Sequence, residues 1–341
     1  MNRRWICGDV WMDIFPSFDR PQLGLKMALL SDRFDALVDK NFDGKTTELT
    51  IWNDIIISKD EGPKAKDIEP KSKLSVRMDG KSVPFPFPDR PLPNKIRFKH
   101  LRIEYIDHSV IAFLRSNQQI WDRIGTKLDL FIDKFDQSIW DVFIRKIWPI
   151  VATNIRHLYF PNDNHLDNLH HGISPTILSD LKQLNSIDSG PVLPVRIYGG
   201  PTANSSAGQV LSKWFHTPSK NGQPKRLHCN DYSVESNLEW LNDFKEAFLR
   251  AISSVSYIIQ IDRVGTMPTE PFELVNERTK EKLTLASCFG SGDLLLKRCP
   301  ITATVQWKND ENCDDKLNTV TFNLFRGNDN LGSLSPPSTE E

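Results

Sequence analysis

The sequence predicts an α/β protein in which a short three-helix module precedes a domain of irregular βα repeats and a closing β-hairpin region. Three observations carry that prediction. Apolar residues recur at three- and four-residue steps over residues 5–38, broken by Pro16 and Pro21. From residue 95 onward, short strands rich in β-branched residues alternate with amphipathic helical stretches. Near the C-terminus, two alternating apolar segments flank a polar turn.

The N-terminal stretch places Val10, Ile14 and Phe15 on one helical face, with Phe18 just beyond. After Pro21, the residues Leu23, Met27, Leu30, Phe34 and Leu37 continue the period, and Ser31-Asp32 offers a cap for the last helix. Residues 48–57 form a β-rich segment, and Leu74 to Val83 reads as a hairpin turning at Asp79-Gly80. The proline run from Pro84 to Pro93 predicts a stiff extended linker and a domain boundary. The expected divisions are therefore 5–45, 46–93, 94–265 and 266–326, with a polar, disordered tail over 327–341.

Within 94–265, strands are expected at 101–106, 128–132, 155–160, 195–198, 226–229 and 257–261. They are spaced by roughly 26 to 40 residues. Helices are expected at 109–120, 139–150, 175–184, 207–215 and 237–252. Each unit can bury its apolar face only against the next, so the units should stack as an irregular leucine-rich-repeat-like array around a parallel sheet. A hairpin is expected at 272–276 and 282–285, with further strands at 294–298 and 320–324.

Charge and cysteine content narrow the function classes. The chain holds 43 basic and 44 acidic residues, so no overall field attracts nucleic acid or an anionic membrane. No apolar run approaches the roughly 18 residues of a membrane span, and the N-terminus lacks the apolar stretch of a signal peptide. Cys7, Cys229, Cys288, Cys299 and Cys313 are scattered without a CxxC pair. That pattern fits reduced thiols in the cytoplasm or nucleus better than a disulfide framework or a zinc site.

Candidate chemistry is sparse. Asp39-Lys40-Asn41-Phe42-Asp43-Gly44 imitates the start of a calcium loop, but the twelfth position is Thr50 rather than glutamate. His165, His170 and His171 lie near Asp163 and Asp167, a composition that suits a metal. A polar loop between strand and helix is the plainer reading of the same residues. Gly199-Gly200-Pro201 and Gly290-Ser291-Gly292 read as turns, not phosphate loops. Neither a cofactor nor a catalytic group is expected.

Residues 6–39 resemble an F-box. Ile14-Phe15, Ser17-Phe18, Leu23, the segment Leu30-Ser31-Asp32-Arg33-Phe34, and Leu37 match that family's pattern in order and spacing. Ile6-Cys7 replaces the usual Leu-Pro, and Phe18 replaces a leucine. The remainder is similar to the expanded F-box proteins of nematodes through Pro93–Phe98, Pro271–Thr279 and Leu295–Pro300. The resemblance implies a non-catalytic subunit of a ubiquitin ligase. Its N-terminal helices would bind a Skp-family adaptor on a cullin scaffold, and its repeat domain would hold a substrate protein. Ile6, Val10, Ile14, Phe15, Phe18, Leu23, Leu30, Phe34 and Leu37 are then the residues that build or line the adaptor site. A piece of about 35 residues cannot bury all of its apolar side chains alone. Covering five of them would contribute about 7–15 kcal/mol before association costs. The rival readings are a set of capping helices for the repeat domain, and a standalone α/β scaffold that binds proteins without a ligase.

Overall fold

The computed structural model describes residues 6–18, 23–43, 50–60, 71–78, 81–92, 96–121, 125–132, 136–161, 163–174, 176–190, 206–219, 222–231, 239–263, 270–287, 294–306 and 321–323. The chain is mixed α/β. Its N-terminal part holds α1 (Gly8–Ile14), a 3-10 turn at Phe15–Ser17, a wider turn at Leu23–Met27, a 3-10 turn at Ala28–Leu30, and α2 (Asp32–Asp43). Ser31 Oγ accepts the backbone N–H of Phe34 at 3.3 Å, so the expected serine cap starts α2.

The rest is organised on a sheet with twelve strands among the described residues. In chain order these are β1 (Thr50–Lys59), β2 (Ser72–Met78), β3 (Lys81–Phe85), β4 (Ile96–Ile103), β5 (Thr126–Leu130), β6 (Ile155–Phe160), β7 (Ser186–Ser189), β8 (Lys225–Asp231), β9 (Tyr257–Arg263), β10 (Phe272–Asn276), β11 (Glu281–Ser287) and β12 (Leu294–Pro300). Strands β1, β4, β5, β6, β7, β8 and β9 run parallel, each beside the next. Antiparallel strands finish both ends: β2 and β3 beyond β1, and β12, β11 and β10 beyond β9. A two-stranded ribbon, β13 (Thr304–Gln306) with β14 (Thr321–Asn323), stands apart.

One rung explains why this sheet holds. Val83, Val76, Ile55, Leu101, Leu128, Leu158, Ile187, Leu227, Ile259, Leu296, Leu285 and Phe272 are paired in register across all twelve strands. All but the edge residues Val83 and Phe272 are buried. The helices cover this face. They are α3 (His108–Ser116), α4 (Gln118–Trp121), α5 (Gln137–Val142), α6 (Trp148–Val151), α7 (Asp163–Gly172), α8 (Ile177–Asp180), α9 (Ser206–His216) and α10 (Glu239–Arg250). Val110, Phe113, Trp121, Trp140, Leu169 and Trp214 join the rung in one apolar core. Polar groups fasten the layers. Asp107 Oδ1 accepts Val110 N–H at the start of α3, and its Oδ2 accepts Ser72 N–H from β2. Lys225 Nζ donates to the carbonyls of Trp214 and Thr217 at the C-terminal end of α9.

Several expectations require correction. The proline run is not a boundary between domains, because β1, β2 and β3 before it belong to the same sheet as β4 after it. Leu92 is buried, its N–H donates to Asn117 Oδ1 at 2.7 Å, and Phe87 lies edge-on to Phe113 at 5.7 Å. The prolines mark an edge rather than a linker: Pro84 sits in β3, an edge strand where a missing donor costs no ladder bond. The C-terminal hairpin likewise joins the main sheet through β12 and β9. The strand beside β6 is Ser186–Ser189, a polar segment that the apolar pattern passed over. The expected strand at 195–198 and the tail at 327–341 lie outside the described residues. The helix expected at 175–184 is a single turn at Ile177–Asp180. The calcium-like run begins inside α2, and its residues 44–49 lie outside the described residues.

Glu281 and Arg298 tie the antiparallel end to the helices. Both side chains are buried. Glu281 accepts from Arg298 Nε and Nη2 at 3.0 and 2.6 Å, and from Ser254 Oγ and Val255 N–H at 2.8 Å. Arg298 Nη2 also donates to the Ser253 carbonyl. Glu281→Ala, which strands a buried guanidinium, is expected to cost about 3–5 kcal/mol of stability in urea unfolding. Leu158→Ala in the middle of the rung is expected to cost about 2–5 kcal/mol in the same assay.

Candidate functional site

Two regions are candidates for a functional site: the N-terminal module, and the sheet face that the helices leave uncovered. The module owns a small core. Phe15, Leu23, Ala28 and Val38 are buried together, and Trp11, Met12, Phe18, Met27, Phe34 and Leu37 pack against them. Trp11 meets Phe34 edge-on at 4.9 Å, and Arg33 Nη2 donates to the Ile6 carbonyl at 2.7 Å, closing α1 onto α2. This cluster is distinct from the sheet's core. Leu29 packs against the larger core, and Arg90 meets Asp32 at 2.8 Å on the surface.

The nine residues expected at an adaptor site divide by exposure. Phe15 and Leu23 are fully buried, so they build the module and do not line its surface. Phe18, Phe34 and Leu37 are half-buried against them, and Ile14 is also half-buried. Ile6, Val10 and Leu30 are 46%, 46% and 64% exposed, large apolar side chains held in water. Val10 and Ile14 follow a four-residue step within α1, which places them along one stripe, while Ile6 precedes the helix. Trp11, outside the expected set, also packs against this core, a place that its four-residue step to Phe15 signals.

The uncovered sheet face is polar because strand side chains alternate. One rung there runs Arg77, Asp54, His100, Lys127, His157, Ser186 and Arg226. The next runs Arg102, Asp129, Tyr159, Asp188, His228 and Gln260. Histidines and aspartates interlock across the strands. His100 Nδ1 lies 3.1 Å from Asp54 Oδ1, and its Nε2 lies 2.6 Å from Asp129 Oδ2. His157 Nε2 lies 3.1 Å from Asp188 Oδ2, and His228 Nε2 lies 2.8 Å from Asp262 Oδ2. Beside them, Phe131 stacks at 5.2 Å from Tyr159, and the Arg102 guanidinium lies 3.9 Å over the Phe131 ring. Toward β12 the same face carries the buried apolar residues Ile258 and Leu295 beside the polar residues Lys297, Lys282 and Glu273.

These contacts set the charge states. Burial pushes the Asp54 carboxyl up, but the hydrogen bond and charge of His100, with Arg77, outweigh it and hold the group below its usual range. Burial depresses His100, yet the carboxylates of Asp129 and Asp54 hold it above its ordinary value. Asp188 is lowered on balance by His157 and His228 against its own burial.

The expected histidine cluster takes another form. Residues 163–172 are a helix rather than a polar loop. His165 is buried with Nε2 at 3.0 Å from the Ile132 carbonyl and its ring against Trp140. His171 Nδ1 is bonded to the Asp167 carbonyl. Among the described residues, no group of three or more His, Cys, Asp or Glu side chains converges to hold a metal ion, and no helix is long and apolar enough to cross a membrane. No family model matches the chain, and no curated protein or solved structure matches it either.

The raised His100 value gives a pH dependence with a fixed sign. Stability from the Asp54–His100–Asp129 contact is fully present below pH 6.5, the unfolded histidine value, and is lost as pH rises through the higher folded value. Thermal melts should therefore separate wild type from His100→Gln most widely near pH 6, with the gap closing toward pH 8.5.

Proposed function

We propose that this chain is the substrate-recognition subunit of a cullin-type ubiquitin ligase. The module at residues 5–45 acts as an F-box and binds a Skp-family adaptor, which joins the cullin scaffold. The sheet domain works as an irregular leucine-rich-repeat-like receptor whose helix-free face holds a substrate protein. The chain catalyses nothing; it raises the local concentration of substrate beside the ligase, in the cytoplasm or nucleus.

The observation that carries this reading is the separate core of the module, which leaves Ile6, Val10 and Leu30 exposed. A helical cap serving only the large domain would turn those side chains inward. The repeat reading is supported by the strand order, since β4 to β9 are added one after another, each with helices on the same apolar face. The rival scaffold reading draws on the Leu29 contact and the Arg90–Asp32 pair, which seat the module against the sheet domain.

Co-purification with a Skp-family adaptor separates the two. Val10→Asp and Leu30→Asp place charges on exposed positions and leave the small core intact. Each should weaken the adaptor complex by about tenfold or more, because a buried apolar side chain is worth roughly 1.5–3 kcal/mol. Ile14→Asp with Phe15→Asp should abolish the complex while the sheet domain stays folded; Phe15 acts there through the module's core. Adaptor binding that is absent in wild type, or unchanged in all these variants, favours the standalone scaffold.

A further inference from the structure

We propose that two copies of this chain associate through β10, the free edge of the sheet, as an antiparallel strand pair with its two-fold axis at Leu274. The inference goes beyond the receptor reading and does not depend on it.

Among the described residues, β10 ends the sheet on one side and β3 ends it on the other. An edge strand presents a row of unpaired backbone N–H and C=O groups, and proline or lysine on such a strand blunts it. β3 is blunted in this way, because it carries Lys81 and Pro84. β10, Phe272-Glu273-Leu274-Val275-Asn276, has neither.

Helix α10 lies along the same strand. Lys245 Nζ stands 4.3 Å over the Phe272 ring, and Asn276 Nδ2 donates to the carbonyls of Phe248 and Ala251 at 2.7 and 3.1 Å. Leu249 follows Lys245 by four residues and so shares its side of the helix. Ile252 follows just past the helix end, next to Ala251. Leu249 is 54% and Ile252 75% exposed, while Leu241, Phe244 and Phe248 turn into the core. A single exposed apolar side chain is ordinary, but here two adjoin an open strand edge.

The charge order along β10 points to a second copy as the occupant. Antiparallel pairing around Leu274 sets Leu274 against itself, Glu273 against Val275 and Phe272 against Asn276. No like charges meet in these pairs. Glu270 and Arg278 stand four residues before and four after Leu274, both exposed. Neither side chain has a hydrogen bond or ion pair among the described residues. The same axis brings Glu270 of one copy toward Arg278 of the other, twice over, as an isologous contact requires. It also keeps the helices of both copies on one face of the joined sheet. Each α10 then lies beside the other, and Leu249 and Ile252 are covered. An unrelated extended segment would fill the backbone groups equally well, but it has no reason to supply both charges in this order.

Sedimentation velocity on the full chain, over about 1–100 μM, tests this. The mass should rise from 39.1 kDa toward twice that value as concentration increases. Leu249→Asp with Ile252→Asp, at two exposed positions, should weaken the association about tenfold or more. Arg278→Glu alone and Glu270→Arg alone should each weaken it about threefold to tenfold, since each sets like charges against one another. An equimolar mixture of those two variants should restore the association, as should both changes in one chain. Thermal melts check that each variant is folded, and Val83→Asp on the β3 edge should leave the association unchanged. A chain that stays monomeric over this range overturns the proposal. So does a dimer unmoved by Leu249→Asp with Ile252→Asp, and so do charge reversals that have no effect or are not rescued. A monomer whose β10 edge takes an unrelated peptide instead also overturns it and leaves the edge to a different partner.

Discussion

The structure depends on the register that aligns one apolar residue from each strand across the whole sheet. Because strand side chains alternate with a period of two, that single alignment decides both faces at once. With Leu101, Leu128, Leu158, Ile187 and Leu227 turned toward the helices, His100, Lys127, His157 and Arg226 must turn away. A one-residue slip would bury charges against tryptophans and expose leucines, a change that no local contact could offset. The polar ladder is therefore a consequence of core formation as much as a feature in its own right.

The same logic separates the two parts of the chain. The sheet's apolar side chains are consumed by the helices that cover them, whereas the N-terminal piece is too short to enclose all of its own. Phe15, Leu23, Ala28 and Val38 use up the interior that two short helices and their connecting turns can provide. Ile6, Val10 and Leu30 are left over, and a surplus of this kind is what a docking module requires. At the other end, Glu281 and Arg298 show how a buried ion pair is tolerated: each charge is matched, and the carboxylate also accepts from Ser254 and Val255.

Much of the element order was legible in the sequence. The strand at Ile155–Phe160 coincides with its expected limits, and those at 128, 226 and 257 begin within three residues of theirs. Each carries a dense β-branched or leucine-rich run between polar segments. Ser186, Asp188 and Ser189 give the strand Ser186–Ser189 no apolar signature; it is a strand because β6 and β8 pair with both of its edges. The proline run is ambiguous for a related reason. Proline reports the absence of a ladder donor, which an edge strand and a linker share, and the burial of Leu92 within the run and of Phe98 after it is a tertiary fact.

Periodicity, capping residues and charge balance were enough to establish an α/β chain with a helical N-terminus, since those features act over a few residues and are written in order along the chain. The histidine–aspartate lattice, the carboxylates flanking Tyr159 and the division of nine apolar residues into buried and exposed sets were not. His100 and Asp129, or Asp188 and His228, are tens of residues apart, and nothing local distinguishes them from other surface groups. Their partnership arises only when parallel strands bring distant positions to about 4.8 Å, a spacing that belongs to the folded sheet and not to any segment of it.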